Sequence, residues 1–253
     1  MAIVIVVANQ KGGVGKTTTA AALIDGLKLK GKKVLGIELD PQRNLSYVFG
    51  IEGSFELDGS ILSVLQENLS LKPLVHHTDR GDILPADDSI IAWRAGRVKI
   101  SPKTFKTAVD AIKDEYDYIV IDTAPDKSYV AVAALCAADK VVVVIQPDMF
   151  SVYALRDFYG FYKQTVSALD LNLTVDGILI TRYNQRTRIS GKVKEIYDKA
   201  ALAFETRVYS KPIRESVVVK IALAEQLNLF EYGTKSAVAA DYQSFINDVI
   251  SEE

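Results

Sequence analysis

The chain has 253 residues, enough to bury one large core. Its residues are 49% hydrophobic and 25% charged, with a formal net charge of −2, so the whole molecule is not a polycation and any nucleic-acid contact must come from a local patch. Cys136 is the single cysteine, which excludes an internal disulfide and a cluster held by several cysteines of one chain.

The opening MAIVIVVANQKGG has no basic start, and its apolar run leads straight into a glycine loop. It reads as a strand and not as a signal peptide. No apolar run approaches ~18 residues, so no membrane-spanning helix is expected, and the expected compartment is the cytoplasm. Apolar, β-branched runs at 3–8, 118–121, 141–145 and 175–180 predict buried parallel strands, with weaker strands at 34–39, 82–84 and 207–209. Helical patterns lie between them, at 16–29, 60–67, 102–114, 128–137, 151–168, 189–203 and 236–250. No linker divides the chain, and one domain over 1–253 is expected. The alternation of strand and helix implies an α/β fold: a mostly parallel twisted sheet with helices on both faces. Ligands of such sheets bind beyond the carboxyl ends of the strands, where the polar motifs fall.

The first motif is VVANQKGGVGKTTTAAAL at 6–23. Glycines let the backbone turn tightly and aim several N–H groups at one anion, and the following helix adds the positive end of its dipole. Gly12, Gly13, Val14, Gly15, Lys16, Thr17 and Thr18 are therefore the expected phosphate cradle. Lys16 reaches the terminal phosphates and Thr17 places its hydroxyl on Mg²⁺. Asp40 closes the second strand in IELDPQRNLS; an Asp before Pro also suits a helix N-cap. Asp122 ends the strand of YDYIVIDTAP, where a carboxylate beside the phosphate loop fits a Walker B residue holding a water on Mg²⁺. The span 182–220 carries ten Lys or Arg against Glu195, Asp198, Glu205 and Glu215. Such a stripe fits either a solvated helix face or a surface for phosphate backbones.

The standard Walker pattern has Gly at position 10, where this chain has Gln, and adds a lysine at position 11. KGGVGKTT thereby resembles the deviant Walker motif of the ParA/MinD family of ATPases, and the likeness extends from residue 1 to about 250. It implies a P-loop fold that binds ATP with Mg²⁺ and hydrolyses it. Nothing resembles the guanine-specifying N-K-x-D motif. The resemblance implies that Lys11 reaches the nucleotide of a partner subunit in an ATP-bound homodimer, as an arginine finger does. It implies that Asp40 positions the attacking water near Mg²⁺. Arg43 stands where the family usually has Gly, so either the loop avoids positive φ here or Arg43 reaches a charged group. Arg182, Pro212 and Ile213, with Thr181, are the implied adenine-side residues.

For the basic span the resemblance implies non-specific DNA binding by the ATP-bound dimer, with Arg186, Arg188, Lys211, Arg214 and Lys220 as candidates. It also implies a ParB-like centromere-binding partner that stimulates turnover, and a nucleoid-associated location. Two alternatives share the fold: a MinD-like membrane-surface ATPase and a metabolic ATP-dependent ligase or synthetase. The tail DYQSFINDVISEE lacks the basic apolar face that the first would use, and no membrane contact is expected. Trp93, in WRAGR, is left open between core, dimer contact and partner site.

Overall fold

The computed structural model describes residues 1–51, 60–184 and 188–251. In chain order the elements are β1 (Ile3–Ala8), α1 (Lys16–Leu29), β2 (Val34–Glu38), α2 (Asn44–Val48), α3 (Ile61–Gln66), β3 (His76–Thr78), β4 (Gly81–Leu84), α4 (Ser89–Arg94), α5 (Pro102–Asp110), β5 (Tyr118–Asp122), α6 (Tyr129–Ala137), β6 (Lys140–Ile145), α7 (Met149–Leu169), β7 (Thr174–Ile180), α8 (Arg188–Ala203), α9 (Val217–Ala224), α10 (Leu229–Tyr232) and α11 (Ala237–Ile250). The strands form one sheet in the order β3-β4-β2-β5-β1-β6-β7. All neighbours are parallel except β3, which runs antiparallel to β4 at the edge.

The alternation along β1 shows why both faces are covered. Val4 and Val6 enter one core with Ile119, Ile121 and the helices α3 to α8. Ile5 and Val7 enter the other with Val120, Val142 and residues of α1, α9 and α11. A strand buried on both faces is expected to be apolar at every position, as β1 is and as β5 is up to Asp122 at its end. Central β1 lies between β5 and β6, so the loops that follow these three strands meet at one edge. That edge is where an open α/β sheet binds its ligand.

The expected strands at 34–39 and 82–84 are present as β2 and β4. The expected strand at 207–209 is only a bridge. Arg207 O accepts from Ile178 N (2.8 Å) and Tyr209 N donates to Ile178 O (3.0 Å), and the chain touches β7 once more where Ile213 N donates to Ile180 O (2.8 Å). The helix expected over 102–114 stops at Asp110, and a single 3-10 turn covers Lys113–Glu115. Lys113 O there accepts from Ala2 N (3.0 Å), tying this turn to the residue before β1. Trp93 is fully buried, with its ring edge-on to Phe105 at 5.9 Å between centroids, so it is a core residue. Among the described residues no helix is long and apolar enough to cross a membrane.

Candidate nucleotide site

Residues 12–18 connect β1 to the first turn of α1. Gly13 and Gly15 hold φ of +73° and +95°, a region closed to side chains without strain. The loop is held from outside. Thr181 Oγ1 donates to Val14 O at 2.6 Å, Gln146 Nε2 donates to Gly13 O at 2.8 Å, and Arg182 Nη1 reaches the same carbonyl at 3.4 Å. Asn9 donates to Val144 O (2.6 Å) and accepts from Lys11 N (2.9 Å). Because the loop carbonyls are bound behind, its N–H groups are left to serve an anion in front.

A cavity of about 550 Å³ opens over this loop. Gly12, Gly13, Gly15, Lys16, Thr17 and Thr18 form its floor, and Asp40, Asn44, Tyr47 and Pro125 form one side. Lys220, Leu223 and Ala224 of α9 face them. A smaller recess of about 200 Å³ continues from Gly13, Gly15 and Thr18 to Arg182, Ile213, Arg214 and Glu215. Together they have the size and mixed lining of a small-molecule site. Ile213 lines the recess and Pro212 does not.

The charged groups crowd together. Lys16 is buried, and its Nζ donates to Lys11 O at 3.3 Å. Burial pushes the ammonium below its ordinary pKa, against the pull of Asp122, Asp40 and Asp126. Asp122 is wholly buried, and among the described residues neither of its oxygens makes a well-formed hydrogen bond. Burial raises its pKa to about 7; the Thr17 hydroxyl opposes the rise and Glu38 adds to it. A buried carboxylate without donors calls for a cation or a cation's water. The donor set beside it, a threonine hydroxyl and carboxylate oxygens, suits hard Mg²⁺.

Asp40 lies at the end of β2 and accepts from Gln42 N through Oδ1 (3.1 Å), while Arg43 N donates to Asp40 O (3.0 Å). This is a turn, and Asp40 is not a helix cap. Helix α2 begins four residues later with Arg43 as its N-cap. Arg43 keeps the left-handed conformation, φ +55°, and also reaches Asp88 Oδ1 at 2.7 Å. The loop therefore does not avoid positive φ, and the charged contact exists as well.

Glu38, which carried no signal in the sequence, organises this corner. It is fully buried and accepts from Leu45 N (2.6 Å), Ser46 N (3.3 Å), the Ser46 hydroxyl and Ala86 N (3.4 Å). Burial raises its pKa, and those donors oppose the rise.

Lys11 does not line the cavity. Its Nζ donates to Asp148 Oδ2 (2.6 Å) and Ser151 Oγ (3.1 Å) on the first turn of α7. Partial burial alone would raise the Asp148 carboxyl; the bonds from Lys11 and Ser151 outweigh it and hold the carboxyl low. Of the basic candidates, Lys211, Arg214 and Lys220 are engaged by carboxylates of the same chain. Lys211 Nζ lies 3.5 Å from Asp241 Oδ1, and Arg214 holds the same buried carboxylate through Nε (2.5 Å) and Nη2 (2.8 Å). Lys220 lines the cavity and lies 3.8 Å from Glu215. Arg188 is the first residue of α8, and Arg186 falls outside the described residues.

Comparison with known proteins gives consistent matches. A family model described as an AAA domain matches residues 2–175. The chromosome partitioning protein ParA of Caulobacter vibrioides is 30% identical over 256 residues, covering 99% of this chain and 94% of that protein. The sporulation initiation inhibitor protein Soj of Bacillus subtilis is 28% identical, covering 98% of each. Among solved structures, cobyrinic acid a,c-diamide synthase from Mycobacterium smegmatis with bound ADP and magnesium superimposes with a TM-score of 0.83 at 27% identity, over 100% of this chain and 95% of that one.

Proposed function

The chain belongs to the ParA/Soj/MinD family of P-loop ATPases, and within it we propose a partitioning ATPase that closes into a dimer on ATP, holds DNA through phosphate contacts, and lets go after hydrolysis. The observation that carries the nucleotide part is the buried, unpartnered carboxylate of Asp122 beside Lys16, Thr17 and a glycine loop with two left-handed residues. The loop N–H groups and Lys16 bind the phosphates. Thr17 would hold Mg²⁺ and Asp122 a water on it; the ion, when bound, neutralises charge on the phosphates. Asp40, on the cavity wall with Oδ1 spent on Gln42 N, offers Oδ2 to orient a water. Attack of that water on the γ-phosphorus breaks the bond to the β-phosphate oxygen and gives ADP and phosphate. Arg182 and Ile213 serve the nucleoside end.

Lys11 completes the site in trans. To do so it exchanges Asp148 and Ser151 of its own chain for the partner's nucleotide. The exchange needs a strong anion, and a triphosphate supplies one. DNA is held by the basic span. Lys211 and Arg214 are partly neutralised by Asp241, so a larger share of the contact falls to the other basic candidates of the span, Arg186, Arg188 and Lys220. Dimerisation doubles these contacts and steepens the salt dependence. A ParB-like centromere-binding protein would accelerate hydrolysis.

A second reading, ATP-dependent amide synthesis, is favoured by the likeness to the diamide synthase. The test is co-sedimentation with plasmid DNA and with anionic liposomes, in ATP, ADP and no nucleotide. The partitioning reading predicts ATP-dependent retention on DNA only. Retention on liposomes would support a membrane-surface ATPase, and retention on neither would support the metabolic reading.

A further inference from the structure

Two residues beside the cavity wall reach the same short helix. Asn44 and Pro125 line the cavity on the Asp40 side. Arg43 precedes Asn44, and Asp126 follows Pro125. Arg43 Nη2 lies 2.7 Å from Oδ1 of Asp88, the N-cap residue just before α4. Arg94, the last residue of α4, donates through Nε (2.8 Å) and Nη2 (2.5 Å) to Asp126 Oδ2. Asp126 is held from the other side as well, because Oδ1 accepts from Ser128 N at 3.0 Å. One six-residue helix thus grips the loop after Asp122 at its C-terminal end and the turn after Asp40 at its N-terminal end.

The helix is itself fixed to the core. Ile90 and Trp93 are buried, and Trp93 packs edge-on against Phe105. Asp87, just before α4, accepts from Ile61 N at 2.7 Å and from Ser89 N at 2.7 Å. Ala86 N donates to Glu38, the carboxylate under the Asp40 turn. A rigid element bonded to two loops makes the position of each depend on the other. A ligand that fills the cavity presses on Asn44 and Pro125, each one covalent step from a bond to α4.

We propose that α4 is a brace coupling the two carboxylate loops of the site, with Arg94 a positioning residue for the loop of Asp122 and Arg43 its counterpart for the turn of Asp40. The proposal rests on the nucleotide reading above. It also assigns a use to an Arg at a left-handed position that Gly would fill with less strain.

Trp93 is the only tryptophan, and its indole N–H is buried without a hydrogen-bond partner among the described residues. Its emission therefore reports on α4 directly. The experiment titrates the full chain with Mg²⁺ and a non-hydrolysable ATP analogue, following Trp93 emission and, separately, heat of binding. Steady-state ATP hydrolysis is measured on the same variants. In the native protein the emission should change with the same midpoint as the heat. Arg94→Ala and Asp126→Ala should bind the analogue within about threefold of the native protein but lose the emission change. Their kcat should fall about tenfold with little change in KM, the split expected when positioning and not binding is lost.

The double variant should be no worse than either single one, and Arg94→Lys should recover part of the loss. Arg43→Gly suits the backbone at that site, so it should melt like the native protein and still lower kcat. Heat of binding with no emission change in the native protein, or additive losses at Arg94 and Asp126, would overturn the brace. Absence of any heat of binding would instead remove the nucleotide reading and the brace with it.

Discussion

At Asp122 the protein buries a carboxyl whose pKa is raised to about 7 because it is out of water. The folded state then holds this proton more tightly than the unfolded chain does. Stability from the group is complete below the ordinary carboxylate pKa and is lost as pH rises towards and through about 7. Asp122→Asn has no charge to bury. It should raise the melting temperature of the nucleotide-free protein at pH 8 by roughly 5 °C, and by much less at pH 5. Equal shifts at the two pH values in thermal scans would contradict the buried charge. Lys16→Ala should weaken ATP binding by at least about 100-fold in calorimetry, since it removes the charge-assisted contact to the phosphates. Asp148→Asn keeps the side-chain oxygen that caps α7 and removes the ion pair to Lys11. Lys11 is then easier to release, and dimerisation should need several-fold less ATP.

Residues of this site differ in how readable they are. Lys16, Thr17 and Asp122 stand at fixed offsets from glycines or at a strand end, so local pattern reveals them. Glu38 looks like a polar residue in an apolar strand; its role appears only when α2 and the residue before Asp87 fold over it.

Among the elements, α9 shows how tertiary context overrides local preference. VVVKIALA is rich in β-branched residues, yet it is helical, with Ser216 as its cap accepting from Val218 N at 3.2 Å. It forms the wall opposite Asp40, and no motif announces that. What fastens it is Arg80, on the turn between β3 and β4. Its guanidinium holds buried Asp25 of α1 through Nε (2.9 Å) and Nη2 (2.8 Å). It also donates from Nη1 to Val48 O at the end of α2 (2.7 Å) and to Gln226 O just past α9 (2.9 Å). The three partners lie far apart in sequence, so none of this is legible before the chain folds. Tyr47 adds a bridge from α2 to Ala224 O at 3.1 Å. Arg80→Ala leaves Asp25 buried and unpaired, and should cost about 3 kcal/mol in urea unfolding. It should also weaken nucleotide binding, because α2 and α9 line the cavity. A loss of stability with unchanged nucleotide affinity would show that the clamp does not shape the site.

For the molecule as a whole, the strand order brings the three polar loops after β1, β2 and β5 to one edge, and the alternation of elements was enough to anticipate that edge. The basic span was legible as composition only. Folding ties Lys211 and Arg214 to Asp241 and sets Lys220 over the cavity, so linear charge overstates what this surface offers to DNA. Arg186→Ala with Arg188→Ala should accordingly lower ATP-dependent DNA retention about tenfold or more at moderate salt and leave ATP binding unchanged. Unaltered retention would move the DNA contact elsewhere. If Lys11 leaves Asp148 to join two chains across their nucleotides, the change in mass is visible by sedimentation velocity. With Mg²⁺ and a non-hydrolysable ATP analogue the native particle should double in mass and with ADP it should not, while Lys11→Ala binds the analogue and stays single. A native protein that binds the analogue and remains monomeric, or a Lys11→Ala variant that pairs as readily as the native chain, would contradict the account.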